Sequence, residues 1–271
     1  MLASVRTNPT NSPTISNRTP SQSAPAPRRA SSLTAADQYV APAGRVRQAL
    51  PADVARAKQA VLAITRENTT RSDNVAEVRA KLQPHLDVLS AHFNANRPAN
   101  EVELTRGSWK SLWYDDPDID SDSSFRQPAR DRIWQVVKDD FYYNVSETKP
   151  KLFGLPLGTI QSYLKGNYEI VDRLPPATEG GPERRNVIAL KFAGNRARLG
   201  KLPSGGSVAK LVDDVEGRDR FTLPVPGPRG ITGELWNLYV DADIRISAGI
   251  QGGESRSKNI DLYILERKDI A

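Results

Sequence analysis

Cysteine is the most informative absence in this chain, since none of its 271 residues is a cysteine. Disulfide bonds, thiolate zinc sites and cysteine nucleophiles are therefore excluded together. Histidine is scarce as well, because His85 and His92 are the only two, and both lie in a helical-looking segment near the N-terminus. The rest of the chain has no histidine for acid–base catalysis. No apolar run approaches the roughly 18 to 20 residues that a membrane-spanning helix needs.

The net charge of +6 is a weak indication of nucleic-acid binding, because half of it lies in the first 40 residues. That segment has four arginines and a single acidic residue, Asp37. The remaining surplus is spread among many charges of both signs, which is a poor electrostatic footprint for DNA or RNA. We therefore expect no nucleic-acid partner. Hydrophobic residues make up 38% of the chain, enough to bury a substantial core.

The first 45 residues have the composition of a disordered leader. They are rich in serine, threonine, proline, alanine and arginine, and they show no repeated apolar spacing with which to bury a face. An acid-poor, hydroxyl-rich and basic leader is typical of an organellar transit peptide. A disordered tail on a bacterial or cytosolic protein is the alternative. We expect three parts: a leader at 1–45, a helical segment at 46–100 that packs on the following domain, and a β-domain at 101–271.

Two amphipathic helices are predicted in the middle part. Residues 51–67 begin with a proline suited to a first helical position, and their apolar residues recur at helical spacing. A second helix is predicted to begin near residues 72–74 and to carry an apolar stripe from Val75 to Phe93. Pro84 lies inside this stripe and is expected to bend or split the helix.

From Gly107 onward the sequence predicts many short strands and therefore an antiparallel sheet. Gly166-Asn167 and Gly194-Asn195 are interpreted as tight hairpin turns. Closing such a sheet into a barrel is one way to remove its exposed edges. The predicted strands are 109–114, 133–137, 141–145, 159–165, 168–171, 188–192, 196–199, 208–212, 220–223, 235–240, 244–247 and 260–266.

The acidic segment after Tyr114 resembles a calcium loop only in part. Asp118, Asp120 and Asp122 have the spacing of the first three ligands, but the sixth and twelfth positions lack the required glycine and glutamate. Residues 194–201 likewise have one residue too many for a phosphate-binding loop. The sequence therefore predicts a solvated loop in the first case and no phosphate site in the second. We expect no metal site and no cofactor.

Asp241 and Asp243 are the most suggestive carboxylate pair, because they lie in an apolar context. A two-carboxylate hydrolase would need such a pair about 5 to 9 Å apart. A turn, or a structural ion pair with Arg245, is the favoured interpretation. The chain also has no Gly-x-Ser-x-Gly nucleophile elbow. We expect the protein not to be an enzyme.

Two motifs in this order make the chain resemble the plastid lipid-associated family, also called PAP/fibrillin. The first is Leu104-Thr-Arg-Gly-Ser-Trp-Lys-Ser-Leu-Trp-Tyr114, and the second is Tyr239-Val-Asp-Ala-Asp-Ile-Arg-Ile-Ser-Ala-Gly249. Ala248 stands where the family pattern has a second arginine. The resemblance spans about residues 50–268. It implies an antiparallel lipocalin-like β-barrel preceded by a helical pair, association with plastoglobules or thylakoids, and the handling of lipids or prenylquinones.

Four motif residues receive structural roles from this resemblance: Gly107, Trp109, Asp241 and Arg245. We expect the glycine to permit a tight turn into the first strand and the indole to plug the closed end of the barrel. A cation from a late strand is expected to stack over the indole, and Arg245 is favoured over Arg267 because the motif covers it.

The resemblance implies non-catalytic binding or carriage of a lipid, prenylquinone or isoprenoid at a plastid membrane or lipid-droplet surface. The alternative is a structural or assembly protein whose barrel is filled by its own side chains and which acts through protein partners. A bacterial cytoplasmic location is the alternative to the plastid. Eight strand residues are predicted to line the barrel and contact the ligand: Trp134, Val136, Tyr143, Ile160, Leu164, Leu190, Phe192 and Leu238.

Overall fold

The computed structural model of the chain describes most residues from Leu50 to Lys268. The described residues are 50–68, 75–115, 132–148, 151–152, 155–156, 158–179, 181, 183–200, 208–217, 222–225, 230–252 and 260–268. The predicted leader at 1–45 lies outside them. The aspartates of the calcium-like segment lie outside them as well.

The described residues form four helices and eleven strands. The helices are α1 (Ala52–Glu67), α2 (Val75–Ala95), α3 (Glu101–Thr105) and α4 (Val208–Gly217). The strands are β1 (Gly107–Tyr114), β2 (Ile133–Val137), β3 (Phe141–Thr148), β4 (Lys151–Leu152), β5 (Leu155–Pro156), β6 (Ile160–Leu174), β7 (Arg184–Leu199), β8 (Leu223–Val225), β9 (Thr232–Val240), β10 (Ile244–Gln251) and β11 (Asp261–Arg267).

Eight of these strands close into an antiparallel barrel. Their order is β1-β2-β3-β6-β7-β9-β10-β11, and β11 pairs again with β1. β8 is a ninth strand that pairs with the end of β7, and β4 with β5 forms a separate two-stranded sheet. The predicted fold is confirmed: a mainly β protein in which helices precede a closed, lipocalin-like barrel. Closure pairs both edges of all eight strands, so none of the eight presents a free edge over its paired length.

The helix pair identifies which side of the barrel wall faces outward. The ring of Phe93 in α2 lies 6.0 Å from the ring of Tyr239 in β9, and Tyr239 pairs with Ile246 in β10. Since two helices do not fit inside an eight-stranded barrel, this face is the outer one. Side chains alternate along a strand, so Arg245 and Ser247 face the interior. Together with the strand pairing, this alternation determines which side chains of the remaining strands face inward.

Helix α3 fills one end of the barrel, which we call the closed end. Val102 and Thr105 of α3 approach Val137, Tyr168 and Ile188 there. The cavity that remains between them measures only about 10 Å³. The opposite end, into which β1 and β7 lead, is called the loop end. Packing at the closed end is therefore tight.

The two predicted Gly-Asn hairpins are wrong, because β6 and β7 each run unbroken through these positions. Lys165 pairs with Gly194 and Gly166 pairs with Phe192, so β7 has one extra residue at this level. That is a β-bulge, which glycine inside a strand also marks. The long pairing between β6 and β7 overrides the local turn preference.

The predicted strand at 208–212 is also wrong, since the segment forms helix α4. Its buried residues Val208, Leu211 and Val212 have the spacing i, i+3 and i+4, which is that of a helix face. Similarly, α2 is not split at Pro84, because the helix runs unbroken from Val75 to Ala95. Five apolar residues of α2 are buried against the barrel and α1, and this packing offsets the missing backbone hydrogen bond.

Candidate functional site

The interior of the barrel contains a buried arginine that is bonded to two amides. The Arg245 side chain has no exposed surface. Its Nε donates to Oδ1 of Asn237 at 2.9 Å, and its Nη1 donates to Oε1 of Gln135 at 3.3 Å. Gln135 lies in β2, three strands away from β10 around the barrel. The guanidinium therefore reaches across the interior near the closed end.

Local sequence alternation places these polar groups inside. Residues 244–247 read Ile-Arg-Ile-Ser, and the two isoleucines pack outward while the polar residues point inward. In β9 a bulge at Leu238 shifts the register, so that Asn237 pairs with Ser247 and shares its side of the wall. The same bulge brings the Asn237 amide within reach of Arg245. The polar interior positions of β9 and β10 thus lie beside each other on the barrel wall.

Asn237 links the arginine to helix α3. Its Nδ2 donates to Oε1 of Glu101 at 2.9 Å and to Oγ1 of Thr105 at 2.8 Å. Glu101 is only 1% exposed, and its Oε2 accepts from Arg97 at 2.7 Å and from Asn186 at 2.6 Å. Four donated hydrogen bonds would saturate a carboxylate, and Glu101 receives three. Both oxygens of the Glu101 carboxylate are therefore occupied by hydrogen bonds from residues around α3.

Burial lowers the pKa of Arg245 to about 10. Nearby Tyr142 and Glu101 act to raise that pKa, whereas the cationic Arg267 acts to lower it. The guanidinium remains protonated at neutral pH. A buried cation is costly unless it is paired, and the hydrogen-bond partners that the structure gives Arg245 are neutral amides.

Three buried polar atoms on the interior wall have no hydrogen-bond partner within the described parts of the chain: Arg245 Nη2, Ser111 Oγ and Ser247 Oγ. Leu265 pairs with Ser111 on one side and with Arg245 on the other, and Ser247 follows Arg245 by two residues. The three atoms therefore come from one patch of wall built by β1 and β10, which flank β11. We call Arg245, Ser111 and Ser247 the polar patch. Unsatisfied buried groups typically cost about 1 to 3 kcal/mol each, so such a cluster calls for a functional explanation.

An apolar wall accompanies the polar patch. Leu190 and Phe192 of β7 and Leu235 of β9 are buried and face the interior. Toward the loop end, the rings of Tyr114 and Tyr263 are stacked with 6.4 Å between their centroids. The interior thus combines an apolar surface with a few hydrogen-bonding groups, which is the usual composition of a small-molecule site.

The structure divides the eight predicted ligand residues into three groups. Leu190 and Phe192 line the buried interior, and Ile160 and Leu164 lie on the same face but are half-buried near the loop end. Leu238 is the extra residue of the β9 bulge and is half-buried between two apolar clusters. These five positions remain predictions as ligand contacts.

The interior placement of Trp134, Val136 and Tyr143 is corrected by the structure. All three pack against Val208, Leu211 and Val212 of α4 on the outer face. Gln135 alternates with Trp134 and Val136 and is the residue that faces inward. Because α4 covers the outer face here, both faces of β2 are buried, and hydrophobicity alone does not reveal the phase of this strand.

Trp109 lies fully buried at the junction of α3 and the barrel. Its indole Nε1 donates to the carbonyl oxygen of Thr105 at 2.7 Å. Gly107 begins β1 with a φ of 122°, a backbone conformation that favours glycine. The cation over the indole is Arg267, with 4.0 Å from its Cζ to the ring centroid, and this corrects the assignment to Arg245. Arg245 is instead engaged by the two amides.

Asp241 forms the turn between β9 and β10 on the outside of the barrel. Its Oδ1 accepts from the backbone N–H groups of Asp243 at 2.7 Å and Ile244 at 2.9 Å. Its Oδ2 accepts from Lys58 of α1 at 2.7 Å, and Lys58 also contacts Asp243 at 3.0 Å. The ion-pair partner is therefore Lys58 and not Arg245. The two carboxylates anchor α1 to the barrel.

No protein-family model matches this chain, and no curated protein matches it. Within the described ranges, no group of three histidine or acidic side chains is arranged to hold a metal ion. None of the described helices has the length and apolarity that crossing a membrane requires. The site is therefore interpreted from its own geometry.

Four polar residues of the interior were not predicted as site residues from the sequence: Ser111, Gln135, Asn237 and Ser247. The signal that could have indicated them is the alternation of polar with apolar residues along their strands.

Proposed function

We propose that this protein is a non-catalytic carrier that binds a hydrophobic small molecule of the lipid, prenylquinone or isoprenoid class inside its barrel. The observation that supports this proposal is the polar patch beside an apolar wall. Arg245, Ser111 and Ser247 have hydrogen-bonding capacity that the described residues leave unused. An amphipathic ligand would satisfy these atoms with its polar end and cover the apolar wall with the remainder.

The energetics favour a ligand that is mostly apolar. Apolar surface contributes about 25 cal/mol per Å² when it is removed from water. Leu190, Phe192 and Leu235 offer such surface on one side of the interior. The few polar groups would fix the orientation of the ligand, as they do in small-molecule sites generally. Binding and carriage of such a ligand need only burial and orientation, without a catalytic group.

Two exposed leucines support attachment of the protein to a lipid surface. Leu199 ends β7 and is 77% exposed, and Leu223 begins β8 and is 73% exposed. Leu223 pairs with Ala197, so the two leucines lie on neighbouring strands within two residues of each other in register. Arg198 follows Ala197 directly. Apolar side chains next to a cation are suited to the boundary of an anionic lipid layer.

Membership of the PAP/fibrillin family and a plastid location are part of the same proposal. The first family motif forms the α3–β1 junction around Trp109, and the second forms β9, its turn and β10. The second motif contains Arg245 and Ser247, two of the three residues of the polar patch. The resemblance therefore falls on residues that build the closed end and the interior. This agreement of sequence pattern and site geometry supports the proposal.

Native mass spectrometry after exposure to a plastid lipid extract tests the proposal. We expect a bound species that is retained through buffer exchange and released by organic solvent. Lysozyme exposed to the same extract provides the control for unspecific lipid adducts. A spectrum that shows only the mass of the free chain would contradict the proposal.

The alternative function is a structural or assembly protein with a self-filled barrel. The tight packing of α3 at the closed end favours it, since only about 10 Å³ remains there. The mass spectrum without bound lipid would then be the expected one. Retention of a specific lipid would contradict this alternative.

A further inference from the structure

We propose that the polar end of the ligand is an anion of the carboxylate type and that Arg245 binds it through Nη2, with Ser111 and Ser247 as additional donors. This inference rests on the proposed function and adds the chemical class of the ligand. It follows from the charge balance around Arg245, from the geometry of the polar patch and from the position of the apolar wall.

The first argument is charge balance. Arg245 is a fully buried cation, and Glu101 is a nearby acidic side chain whose charge acts on it. The carboxylate oxygens of Glu101 accept hydrogen bonds from Arg97, Asn186 and Asn237. Glu101 is linked to Arg245 only indirectly, through the amide of Asn237. Arg245 therefore has no direct carboxylate partner among the described residues. An anionic ligand group would supply the charge that Arg245 lacks.

The second argument is the kind of hydrogen bonds that remain available. Arg245 Nη2 is an obligate donor, and a guanidinium has no acceptor to offer. Ser111 and Ser247 each add a hydroxyl that is able to donate. Three donors on one patch of the interior wall match an ionised carboxylate, which only accepts hydrogen bonds and prefers a guanidinium as its partner. A hydroxyl or amide headgroup would bring donors of its own to this space.

The third argument is the position of the polar patch along the barrel. Arg245 is the second residue of β10 and lies near the closed end, whereas Ser111 and Ser247 lie nearer the loop end. Leu235 lies on β9, which pairs with β10, and Leu190 and Phe192 lie on β7, the next strand of the barrel, so the apolar wall adjoins the patch. A headgroup at Arg245 would therefore lie deep in the barrel, and its apolar chain would extend toward the loop end. Helix α3 closes the other direction.

A matched pair of fluorescent probes tests this inference on the full chain. Cis-parinaric acid carries a carboxylate, and its methyl ester has the same polyene chain without the charge. We expect the acid to bind the wild-type protein at least about tenfold more tightly than the ester, because only the acid pairs with a buried cation. Arg245→Met should abolish this preference, whereas Arg245→Lys should keep part of it.

Two further variants keep the test independent of how well Arg245→Met folds. Ser111→Ala with Ser247→Ala removes two donors and leaves the cation, so the acid should lose affinity and the ester should lose less. Lys110→Met provides the control, since Lys110 lies next to Ser111 in β1 but faces outward opposite Trp134. It should leave the preference for the acid unchanged.

The outcomes separate this inference from the function on which it rests. If neither probe binds the wild-type chain, the proposed carrier function is contradicted. If both probes bind with equal affinity, the carrier function stands and the anionic headgroup is contradicted. If the acid is preferred but the preference survives Arg245→Met with a folded circular dichroism spectrum, the assignment to Arg245 is wrong.

Discussion

Arg267 and Trp109 form a stacked pair at the closed end of the barrel, with 4.0 Å between the guanidinium carbon and the centre of the indole. The same guanidinium donates to the carbonyl oxygen of Arg106 at 2.8 Å and to that of Leu104. The last strand of the barrel is thereby joined to the end of α3 and to the start of the first strand. Closure of the barrel and placement of α3 thus depend on one group of contacts.

Trp109→Ala should strongly destabilise the protein. The side chain is fully buried and bonded to Thr105, and truncation of a large buried aromatic residue typically costs about 3 to 5 kcal/mol. Urea unfolding followed by circular dichroism measures the loss. Trp109→Phe should cost less because it keeps most of the volume. A midpoint in Trp109→Ala equal to that of the wild type would refute the role of the indole.

Glu101→Gln should destabilise the protein although it changes few atoms. Glu101 accepts hydrogen bonds from Arg97, Asn186 and Asn237, and an amide would turn one of its oxygens into a donor that faces other donors. Leaving such buried groups unpaired costs about 1 to 3 kcal/mol. The exposed neighbour Glu103 gives the matched control, and Glu103→Gln should be nearly neutral. Equal unfolding free energies for the two variants would contradict the network.

The ion pair of Lys58 with Asp241 should make stability depend on pH in the acid range. Burial acts to raise the pKa of Asp241, but the hydrogen bonds from Lys58 and from the backbone of Ile244 and Asp243 lower it below its ordinary value of 3.8. A folded-state pKa below the unfolded value means that the stabilisation is present above the unfolded pKa and is lost as the pH falls through the folded one.

The measurement for this pair is urea unfolding of the wild type and of Asp241→Asn from about pH 6 to about pH 3. The variant should be less stable at pH 6, and the difference should shrink on acidification. Asp172→Asn is the control, because Asp172 is exposed on β6. A difference between wild type and Asp241→Asn that stays constant over this range would exclude the predicted linkage.

Ser111→Ala and Ser247→Ala should each stabilise the ligand-free protein. Both hydroxyls are buried without a hydrogen-bond partner among the described residues, so their removal relieves a desolvation cost. We expect gains of about 0.5 to 2 kcal/mol, in the range of other stabilising substitutions at functional positions. Thermal unfolding of the delipidated protein measures the gain. A clear loss of stability in both variants would show that the hydroxyls are hydrogen-bonded in the protein and would contradict the unsatisfied patch.

Leu199→Ser combined with Leu223→Ser should weaken binding to anionic lipid vesicles without affecting the fold. Both side chains are largely exposed, and substitutions at exposed positions usually change stability by less than about 0.5 kcal/mol. Sedimentation with vesicles of phosphatidylglycerol and phosphatidylcholine measures the binding. The exposed Val88 in α2 offers the control Val88→Ser. Undiminished sedimentation of the double variant would rule out this surface as the lipid contact.

The sequence predicted those parts of the fold in which local pattern and tertiary structure agree. The strand predicted at 244–247 corresponds to β10, in which Ile244 and Ile246 face outward. The helical stripe from Val75 to Phe93 likewise corresponds to α2, whose five buried residues pack on the barrel and α1. In both segments the periodicity is set by a single buried face, which a sequence displays directly.

The failures occurred where distant contacts decide the structure. Gly166 and Gly194 have the residues of a hairpin turn, yet the pairing of two long strands turns them into a bulge. The prediction that Trp134 and Val136 face the interior is wrong, because no local pattern shows that α4 covers the outer face of β2. The polar patch was not recognised as a group for the same reason, since Ser111 is more than 100 residues away in the chain from Arg245 and Ser247 and comes near them only in the closed barrel.

Asn237 has a single usable orientation in this arrangement. Its carbonyl oxygen receives the guanidinium of Arg245, and its amino group serves Glu101 and Thr105. Rotating the amide by 180° would set a donor against a donor on one side and an acceptor against an acceptor on the other. Asn237 therefore acts as a directional spacer, which links the guanidinium of Arg245 to the carboxylate of Glu101 while it keeps the two charges apart.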